Sequence, residues 1–309
     1  MIKGISVSIF VTIFSVKQVG AQGCSDAGVC TLRSIKNNAE GHEPKDGKKN
    51  DISVGFAYGI GERSTNNYTG YFEYTRSINN RTSVTGKLGY SFINGELANT
   101  NGLTDLFLSV NHAFDANKKW QKSFVVGLKL PFDGADIVEN GIHLPMPYQT
   151  SLGTTDLVIA INYNRKNVGA TLALQQPLKA INENKFLPGD YPDEPLALNY
   201  WPTNEFLRKG DVVGRVSYNF KTGERFSVRP SLLGIYHLAN DSYVDDAKNR
   251  RPLYNSLGLT LNGNLFADYR LKDGSGFELS LGAPFIVRDQ RPDGLTRSFV
   301  ASFEYKFSF

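Results

Sequence analysis

The last twelve residues of the chain place the strongest constraint on its fold. Residues 298–309 read SFVASFEYKFSF, with apolar or aromatic residues at the odd positions and mostly small, polar or charged residues at the even positions. Because successive side chains of a β-strand point to opposite faces, this alternation predicts a strand with one apolar and one polar face. A soluble sheet would bury the apolar face in a core, whereas a membrane barrel would turn it toward lipid.

The same alternation recurs from residue 51 onward, in segments of about ten residues, which is the length of a tilted membrane strand. The segments are 52–60, 67–76, 82–92, 103–114, 122–131, 154–164, 167–176, 210–220, 225–237, 255–271, 275–288 and 296–309. We therefore expect an all-β fold, a transmembrane antiparallel up-and-down β-barrel of about 12 strands.

The lengths of the connections between these segments also favour a membrane barrel. Every second connection is short and rich in Asn, Gly, Asp and Lys, as in hairpin turns. The connections between them include three long ones, 132–153, 177–209 and 238–254. Outer-membrane barrels have short periplasmic turns and long extracellular loops. A soluble β-sandwich is the alternative fold, but it gives no reason for loops to be sorted by length.

The N-terminus resembles a secretory signal. Lys3 is followed by a largely apolar run at 5–16, and small residues at 19–21 form a cleavage site. An uncleaved membrane anchor is the alternative, although the run is shorter than the ~20 residues of a spanning helix. We expect a signal peptide at 1–21, an N-terminal periplasmic or lumen-plugging segment at 22–50 and the outer-membrane barrel at 51–309.

Two cysteines, Cys24 and Cys30, follow the predicted cleavage site. In an oxidising periplasm they could close a small disulfide loop. Lipidation of Cys24 is an alternative, but Ala21 stands where a lipoprotein signal usually has Leu. Two thiols and the distant His42 do not complete a tetrahedral metal site, so we expect no metal and no cofactor.

The composition gives no sign of a nucleic-acid partner. The net charge is only +4, and Lys and Arg are spread singly along the chain. A nucleic-acid-binding surface would instead concentrate basic residues on one face or in one run.

Alternation also predicts which charged side chains face the lumen. The candidates are Glu73, Lys87, Asp105, Lys129, Asp156, Arg215, Arg229, Asp268, Arg270, Glu278, Glu304 and Lys306. With six acids and six bases, this set is balanced and does not predict strong selectivity for ions of one sign. Such groups must pair or be hydrated, so two alternatives remain open, an internal salt-bridge network and a water-filled pore.

The width of a twelve-stranded barrel lies between two limits. Barrels of about eight strands are filled by their own side chains, and those of sixteen or more leave an aqueous channel. A pore here could be blocked by residues 22–50 or by the loop 177–209. The loop supplies candidates for a constriction or for the point where a solute enters, namely Tyr191, Tyr200, Trp201 and Phe206. Alternatively, this loop packs over the barrel mouth.

Two resemblances to known proteins follow from short motifs. The closing aromatics Tyr305, Phe307 and Phe309 resemble the assembly signal of outer-membrane barrels, which implies the barrel-assembly machinery and outer-membrane lipid as partners. Gly–Asp–apolar strand starts, at 102–106, 153–157 and 210–212, resemble those of the phenol meta-pathway transporter-like barrels. These are distant relatives of the fatty-acid and aromatic-hydrocarbon channels. The resemblance implies passage of small, often hydrophobic solutes across the outer membrane of a Gram-negative cell.

Two other functions remain as alternatives to a channel. One is a closed barrel that acts as a binding or structural surface protein through its extracellular loops. The other is an outer-membrane hydrolase, for which the closest grouping is His237 with Asp241, Asp245 and Asp246 on one loop. No sequence feature orders these groups, so we expect no enzyme and no catalytic residue.

Overall fold

The computed structural model describes residues 49–114, 120–294 and 297–309. The predicted signal peptide, both cysteines and nearly all of the segment 22–50 lie outside these residues. The first strand begins at Asn50, so the boundary predicted between that segment and the barrel falls within the strand.

Twelve antiparallel strands, two of them interrupted, form a closed barrel, which confirms the predicted fold class. The strands are β1 Asn50–Gly61, β2 Asn66–Ser77, β3 Thr82–Asn94, β4 Asn99–Leu103 with Leu106–Ala113, β5 Gln121–Leu130, β6 Thr155–Arg165, β7 Val168–Lys179, β8 Asp211–Tyr218 with Phe220–Thr222, β9 Phe226–His237, β10 Gly258–Arg270, β11 Gly276–Ile286 and β12 Arg297–Ser308. Each strand pairs with its neighbours in sequence. The barrel closes where β12 pairs with β1, with Ile52 opposite Phe307.

The fourth strand differs most from its prediction. It begins at Asn99 rather than at residue 103, because Asn99–Leu103 pair with the end of β3 across a tight loop. The strand is then interrupted at Thr104, where its N–H donates to the Gly89 carbonyl at 2.9 Å. The Thr104 hydroxyl in turn accepts from the Gly89 N–H at 3.0 Å, so this break keeps its backbone groups paired.

Short turns lie at one end of the barrel and the longest loops at the other, as the sequence predicts. The long-loop end carries residues 131–154, 180–210 and 238–257. We call these three loops together the loop cap. These loops contain two short hairpins. The described residues of the whole long-loop end contain four short 3₁₀ turns. Among the described residues, no helix is long and apolar enough to span a membrane.

The outer surface of the barrel is a band of exposed apolar side chains. Leu172 is 61% exposed, Val216 58% and Phe303 50%, and similar residues occur on the strands around the barrel. Exposed apolar area of this extent is unfavourable in water, at roughly 25 cal/mol per Å². In the closed barrel each of the twelve strands pairs with a neighbour on both sides, so this surface is suited to lipid.

One half of the interior holds an apolar cluster that the sequence analysis did not predict. Its buried members are Phe107, Val125, Val158, Ala160, Ala173, Val213 and Leu233, which come from β4 to β9. On these strands apolar residues occupy both faces, so a pattern of period two does not distinguish the inward from the outward set. Alternation therefore gave candidates for the inward charges but missed the apolar residues of this cluster.

The other half of the interior, formed by β1–β3 and β10–β12, carries mostly small polar residues and glycine. Gly55 and Tyr71 occupy opposed positions on β1 and β2, and the Tyr71 ring covers Gly55. A Cβ at Gly55 would lie 2.3 Å from a ring carbon of Tyr71. The Tyr71 hydroxyl donates to Glu304 at 2.8 Å, so the glycine permits a contact that links β2 to β12.

Replacing Gly55 with valine is expected to lower the free energy of unfolding by about 1–3 kcal/mol, because the added side chain displaces the Tyr71 ring. Gly70 on the neighbouring strand is the control, since a Cβ there would meet nothing within 4 Å. Guanidinium unfolding in lipid vesicles measures the free energy of unfolding of both variants. Equal losses for Gly55→Val and Gly70→Val would contradict this account of the interior.

Candidate functional site

The interior near the long-loop end contains a layer of buried ion pairs centred on Lys129. Its ammonium lies 3.1 Å from Asp105 and 3.2 Å from Asp156, and all three side chains are almost fully buried. It also donates to the Thr154 hydroxyl at 3.0 Å. Asp105 accepts a further hydrogen bond from Ser151 at 2.5 Å. The layer thus joins β4, β5 and β6 through one cation.

Arg208 extends this layer from the loop cap. Its guanidinium pairs with Asp211 at the start of β8 and lies 3.8 Å from Asp156 and 3.9 Å from Asp293. Burial alone would lower the pKa of Arg208, but Asp211, Asp156 and Asp293 together outweigh burial and raise this pKa above its usual range. The guanidinium therefore stays charged and ties the cap to the barrel wall.

His237 lies between two carboxylates at the end of β9. Its Nδ1 is 2.7 Å from Asp211 and its Nε2 is 2.8 Å from Asp241, and the residue is 1% exposed. Because an ionised carboxylate can only accept hydrogen bonds, this arrangement is satisfied when both ring nitrogens carry protons. The expectation that no feature orders His237 and Asp241 is therefore wrong. Asp245 instead pairs with Arg251 at 2.7 Å on the surface.

Arg288 completes the layer from the loop that joins β11 to β12. It pairs with Asp293, lies 3.8 Å from Asp241 and donates to the Ser256 carbonyl at 2.8 Å. Burial alone would raise the pKa of Asp293, but Arg288 and Arg208 outweigh burial and hold this pKa below its usual range. We call Lys129, Asp105, Asp156, Arg208, Asp211, His237, Asp241, Arg288 and Asp293 the ion-pair layer.

The loop cap above this layer has an apolar core of its own. One cluster combines Ile93 at the end of β3 with Leu144, Tyr148, Phe186, Ala197 and Tyr200. A second combines Ala135, Met146, Leu152, Phe206 and Leu253. The hydroxyls of Tyr148 and Tyr200 lie 2.9 Å apart, and burial raises the pKa of Tyr200 well above its usual range. The long loops therefore pack on one another over the barrel end.

The four aromatic residues proposed to form a constriction lie in different environments within the cap. Tyr200 and Phe206 are buried in its two apolar clusters. Tyr191 stacks on Phe186 with ring centroids 6.1 Å apart, and its hydroxyl accepts from the His143 N–H at 2.9 Å. Trp201 is 38% exposed. The cap core thus takes in three of the four and leaves Trp201 at the surface.

A second charged cluster lies nearer the short-turn end. Lys306 is 2.9 Å from Glu278 and 3.5 Å from Glu304, and Arg229 is 3.5 Å from Glu278 and 3.7 Å from Asp268. On the neighbouring strands of the same wall, Lys87 lies 4.0 Å from the centre of the Tyr71 ring. Its cross-strand neighbour is Glu73.

The remaining candidates for lumen-facing charges, Arg215 and Arg270, belong neither to the ion-pair layer nor to the second charged cluster. Arg215 is buried on β8, with its guanidinium 5.9 Å from the centre of the Phe266 ring, and Arg270 is partly exposed at the end of β10. The proposed assembly residues Tyr305, Phe307 and Phe309 follow one another on the outer face of the last strand, with ring centroids 6.1 and 5.9 Å apart.

Most of the ion-pair layer was not predicted from the sequence. Arg208, Arg288 and Asp293 lie in connections, where period-two alternation carries no information about the direction of a side chain. Asp105, Asp156 and Asp211 share the Gly–Asp–apolar pattern at strand starts. That pattern marked three of the five carboxylates of the layer. Among the cations, only Lys129 was a lumen candidate from alternation.

Comparisons with known proteins support the barrel fold. No family model matches the chain, and no curated protein matches it. An outer membrane channel from Pseudomonas putida F1 superposes with a TM-score of 0.60 at 12% identity, over 86% of this chain and 99% of that one. The chain has the fold of an outer-membrane β-barrel.

Two solved porins are also similar to this chain. The KdgM porin has a TM-score of 0.43 at 8% identity, over 84% of this chain and 99% of that one. The NanC porin has a TM-score of 0.44 at 12% identity, over 84% of this chain and 98% of that one.

Proposed function

We propose that the protein is an outer-membrane channel or transporter for passive or facilitated diffusion of a small solute, with hydrophobic compounds as the first class to test. The observation that carries this proposal is the asymmetric interior. The wall formed by β1–β3 and β10–β12 is polar, with small residues such as Ser53, Thr69 and Ser91 beside its charged groups, and the opposite wall is apolar at mid-height. A solute path through such a lumen would have one polar and one apolar side.

The loop cap and the ion-pair layer are the proposed gate of this path. The layer joins three connections to five strands. Arg208, Asp241, Arg288 and Asp293 come from the connections, and the other five members come from β4, β5, β6, β8 and β9. Its side chains are nearly all buried, so a solute crosses this level only if the ion pairs separate. A gate made of charged pairs can open without loss of the barrel.

The test of conduction is single-channel recording with protein purified from outer membranes and inserted into a planar bilayer. Discrete current steps, followed by permeation of a small aromatic alcohol into protein-containing vesicles, are the expected result. A correctly folded protein that neither conducts nor admits the alcohol would support the second candidate, a closed barrel that binds a partner through its loops. The packed core of the loop cap is the observation that favours this second candidate.

Asp241→Asn is expected to increase the frequency of openings, because it removes one of the two carboxylates that hold His237. Asp245→Asn is the matched control in the same loop, since Asp245 pairs with Arg251 on the surface and not with the ion-pair layer. Recordings of both variants under identical voltage and salt provide the measurement. If the two variants open equally often, the ion-pair layer is not the gate.

The sequence analysis assigns a periplasmic or lumen-plugging segment to 22–50, and we also propose that the part of it before β1 has this role. A deletion from Gln22 to Lys48 leaves β1 intact, because β1 begins at Asn50. This deletion is expected to enlarge the conductance if the segment enters the lumen, and an unchanged conductance would place it outside the path.

A further inference from the structure

The charge balance of the ion-pair layer depends on whether His237 is protonated. The layer contains five carboxylates but only three lysine or arginine side chains, Lys129, Arg208 and Arg288. A protonated His237 supplies a fourth positive charge and leaves one carboxylate in excess, whereas a neutral His237 leaves two. Because an unperturbed histidine changes its charge between about pH 5 and 8, this balance can follow the pH.

His237 is surrounded by charged side chains from several elements. These are Asp211 on β8, Asp241 on the loop 238–257, Arg208 on the loop 180–210, and Arg288 and Asp293 on the connection between β11 and β12. The ring contacts two carboxylates directly, Asp211 through Nδ1 and Asp241 through Nε2. The two guanidinium groups oppose a charged ring, but each of them pairs with a carboxylate. The charges in contact with the ring are therefore negative and favour the imidazolium.

Asp241 is the point at which three connections of the long-loop end meet. Its carboxylate accepts from the Lys209 N–H at 2.9 Å and lies 3.8 Å from the Arg288 guanidinium. Its backbone N–H donates to the Ser256 hydroxyl at 2.8 Å within its own loop. The loops 180–210 and 238–257 and the connection between β11 and β12 thus converge on one carboxylate, and His237 joins that carboxylate to the barrel wall.

Loss of the His237 proton would weaken this junction. A neutral imidazole has one donor and one acceptor nitrogen, so one nitrogen would present its lone pair to a carboxylate 2.7 or 2.8 Å away. The two carboxylates would also lose the cation between them, which is unfavourable in a buried setting. Asp211 belongs to a strand of the wall, whereas Asp241 belongs to a loop. The loop is therefore the part that can move away.

We propose that the proton on His237 is a switch that controls the loop cap. The cap is closed while the imidazolium bridges Asp211 and Asp241, and the loop 238–257 separates from the wall when the proton leaves. Because the closed cap binds this proton more strongly than the open cap does, linkage requires that a rise in pH favours the open form. That this release opens a path rests on the proposed channel function, but movement of the cap can be measured without conduction.

Hydrogen exchange read by mass spectrometry measures the release of the cap. The backbone N–H groups of Asp241, Val244 and Leu253 all form hydrogen bonds within the closed cap. The full chain in detergent is labelled between about pH 6 and 10, a range that includes histidine titration, and protection is expressed relative to an unstructured peptide at the same pH. Protection of 238–257 is expected to fall by about tenfold or more, the effect of losing one hydrogen bond to a charged group. Constant protection in the folded wild type would overturn the proposal.

His237→Gln tests whether this ring is the sensor. Glutamine keeps an N–H for one carboxylate but does not titrate, so protection is expected to stay at the alkaline wild-type value at every pH. His143→Gln is the matched control, because the His143 Nδ1 lies 2.7 Å from Asp136 in the cap but outside the ion-pair layer. This control is expected to keep the wild-type pH profile. A wild-type profile in His237→Gln, or a lost profile in His143→Gln, would assign the switch to another group.

Asp241→Asn is the second variant if His237→Gln does not fold. Its side-chain amide can accept as well as donate a hydrogen bond, so it satisfies a neutral ring as well as a charged one. Its pH profile is therefore expected to be flat, and a wild-type profile in the folded variant would contradict the proposed switch. Resistance of the barrel to unfolding in sodium dodecyl sulfate before heating identifies the folded samples.

Single-channel recordings over the same pH range distinguish a failure of this proposal from a failure of the proposed channel. Wild-type openings are expected to become more frequent as the pH rises, and those of His237→Gln to be equally frequent at every pH. Protection that falls with pH in a protein that never conducts would support the switch and contradict the channel. Conduction that does not vary with pH, together with constant protection, would keep the channel and overturn the switch.

Discussion

Replacing Lys129 with methionine is expected to lower the free energy of unfolding by about 3–5 kcal/mol, the usual effect of removing one partner from a buried ion pair. The cause is the uncompensated charge that remains. Asp105 and Asp156 lie 3.1 and 3.2 Å from the Lys129 ammonium, and without it both carboxylates lose their shared cation in a buried setting. Guanidinium unfolding of the refolded protein in lipid vesicles provides the measurement.

Lys179→Met is a closely matched control for this prediction. The Lys179 ammonium lies 3.2 Å from Glu183, the same distance as in the pair of Lys129 with Asp156, but both side chains are more than half exposed. An exposed pair of this kind contributes about 0–1 kcal/mol. Losses of similar size for Lys129→Met and Lys179→Met would mean that water reaches the ion-pair layer and screens its charges.

The comparison of these two lysines explains the packing of the barrel mouth. Burying charged groups is unfavourable unless each one is paired, and the loop cap excludes water from the layer beneath it. The cap in turn is held by that layer, because Arg208 and Asp241 belong to cap loops and bind wall residues. Cap and layer therefore stabilise each other, and loss of one charge is expected to weaken both.

The sequence was sufficient to predict the barrel because its strands satisfy two independent constraints. Alternation over segments of about ten residues identified the strands, and the order of short and long connections gave the topology. The same signals could not predict the apolar interior around Phe107 and Leu233, since strands with apolar residues on both faces show no useful alternation.

The sequence pattern did not predict the packing of the loop cap, for a different reason. The direction of the Arg208 side chain depends on how residues 180–210 fold, and that fold depends on contacts with two other loops. Asp105, Asp156 and Asp211 were recognisable as strand-start carboxylates, but their cations lie at unrelated positions in the sequence. Long-range pairing of this kind follows from the tertiary fold and has no local periodicity.

Replacing Leu172 with arginine is expected to lower the free energy of unfolding by about 2–4 kcal/mol, because Leu172 lies mid-strand on the outer face of β7 and is 61% exposed to the bilayer. Val168→Arg is the control. Val168 is on the same face of the same strand and is 46% exposed, but it adjoins the short turn at the membrane interface. There an arginine costs about 0–1 kcal/mol, since its guanidinium reaches water and phosphate.

The difference in the free energy of unfolding between the Leu172→Arg and Val168→Arg variants measures how much deeper in the bilayer position 172 lies than position 168. Both variants place an arginine on the same face of β7, so the effect of the new side chain itself is common to the two. The comparison therefore measures how far the charge lies from water. A larger loss at position 172 is the expected result in vesicles, and the difference should shrink when the protein is transferred to short-chain detergent micelles. Equal losses in vesicles would mean that the apolar band on this side of the barrel is covered by something other than lipid.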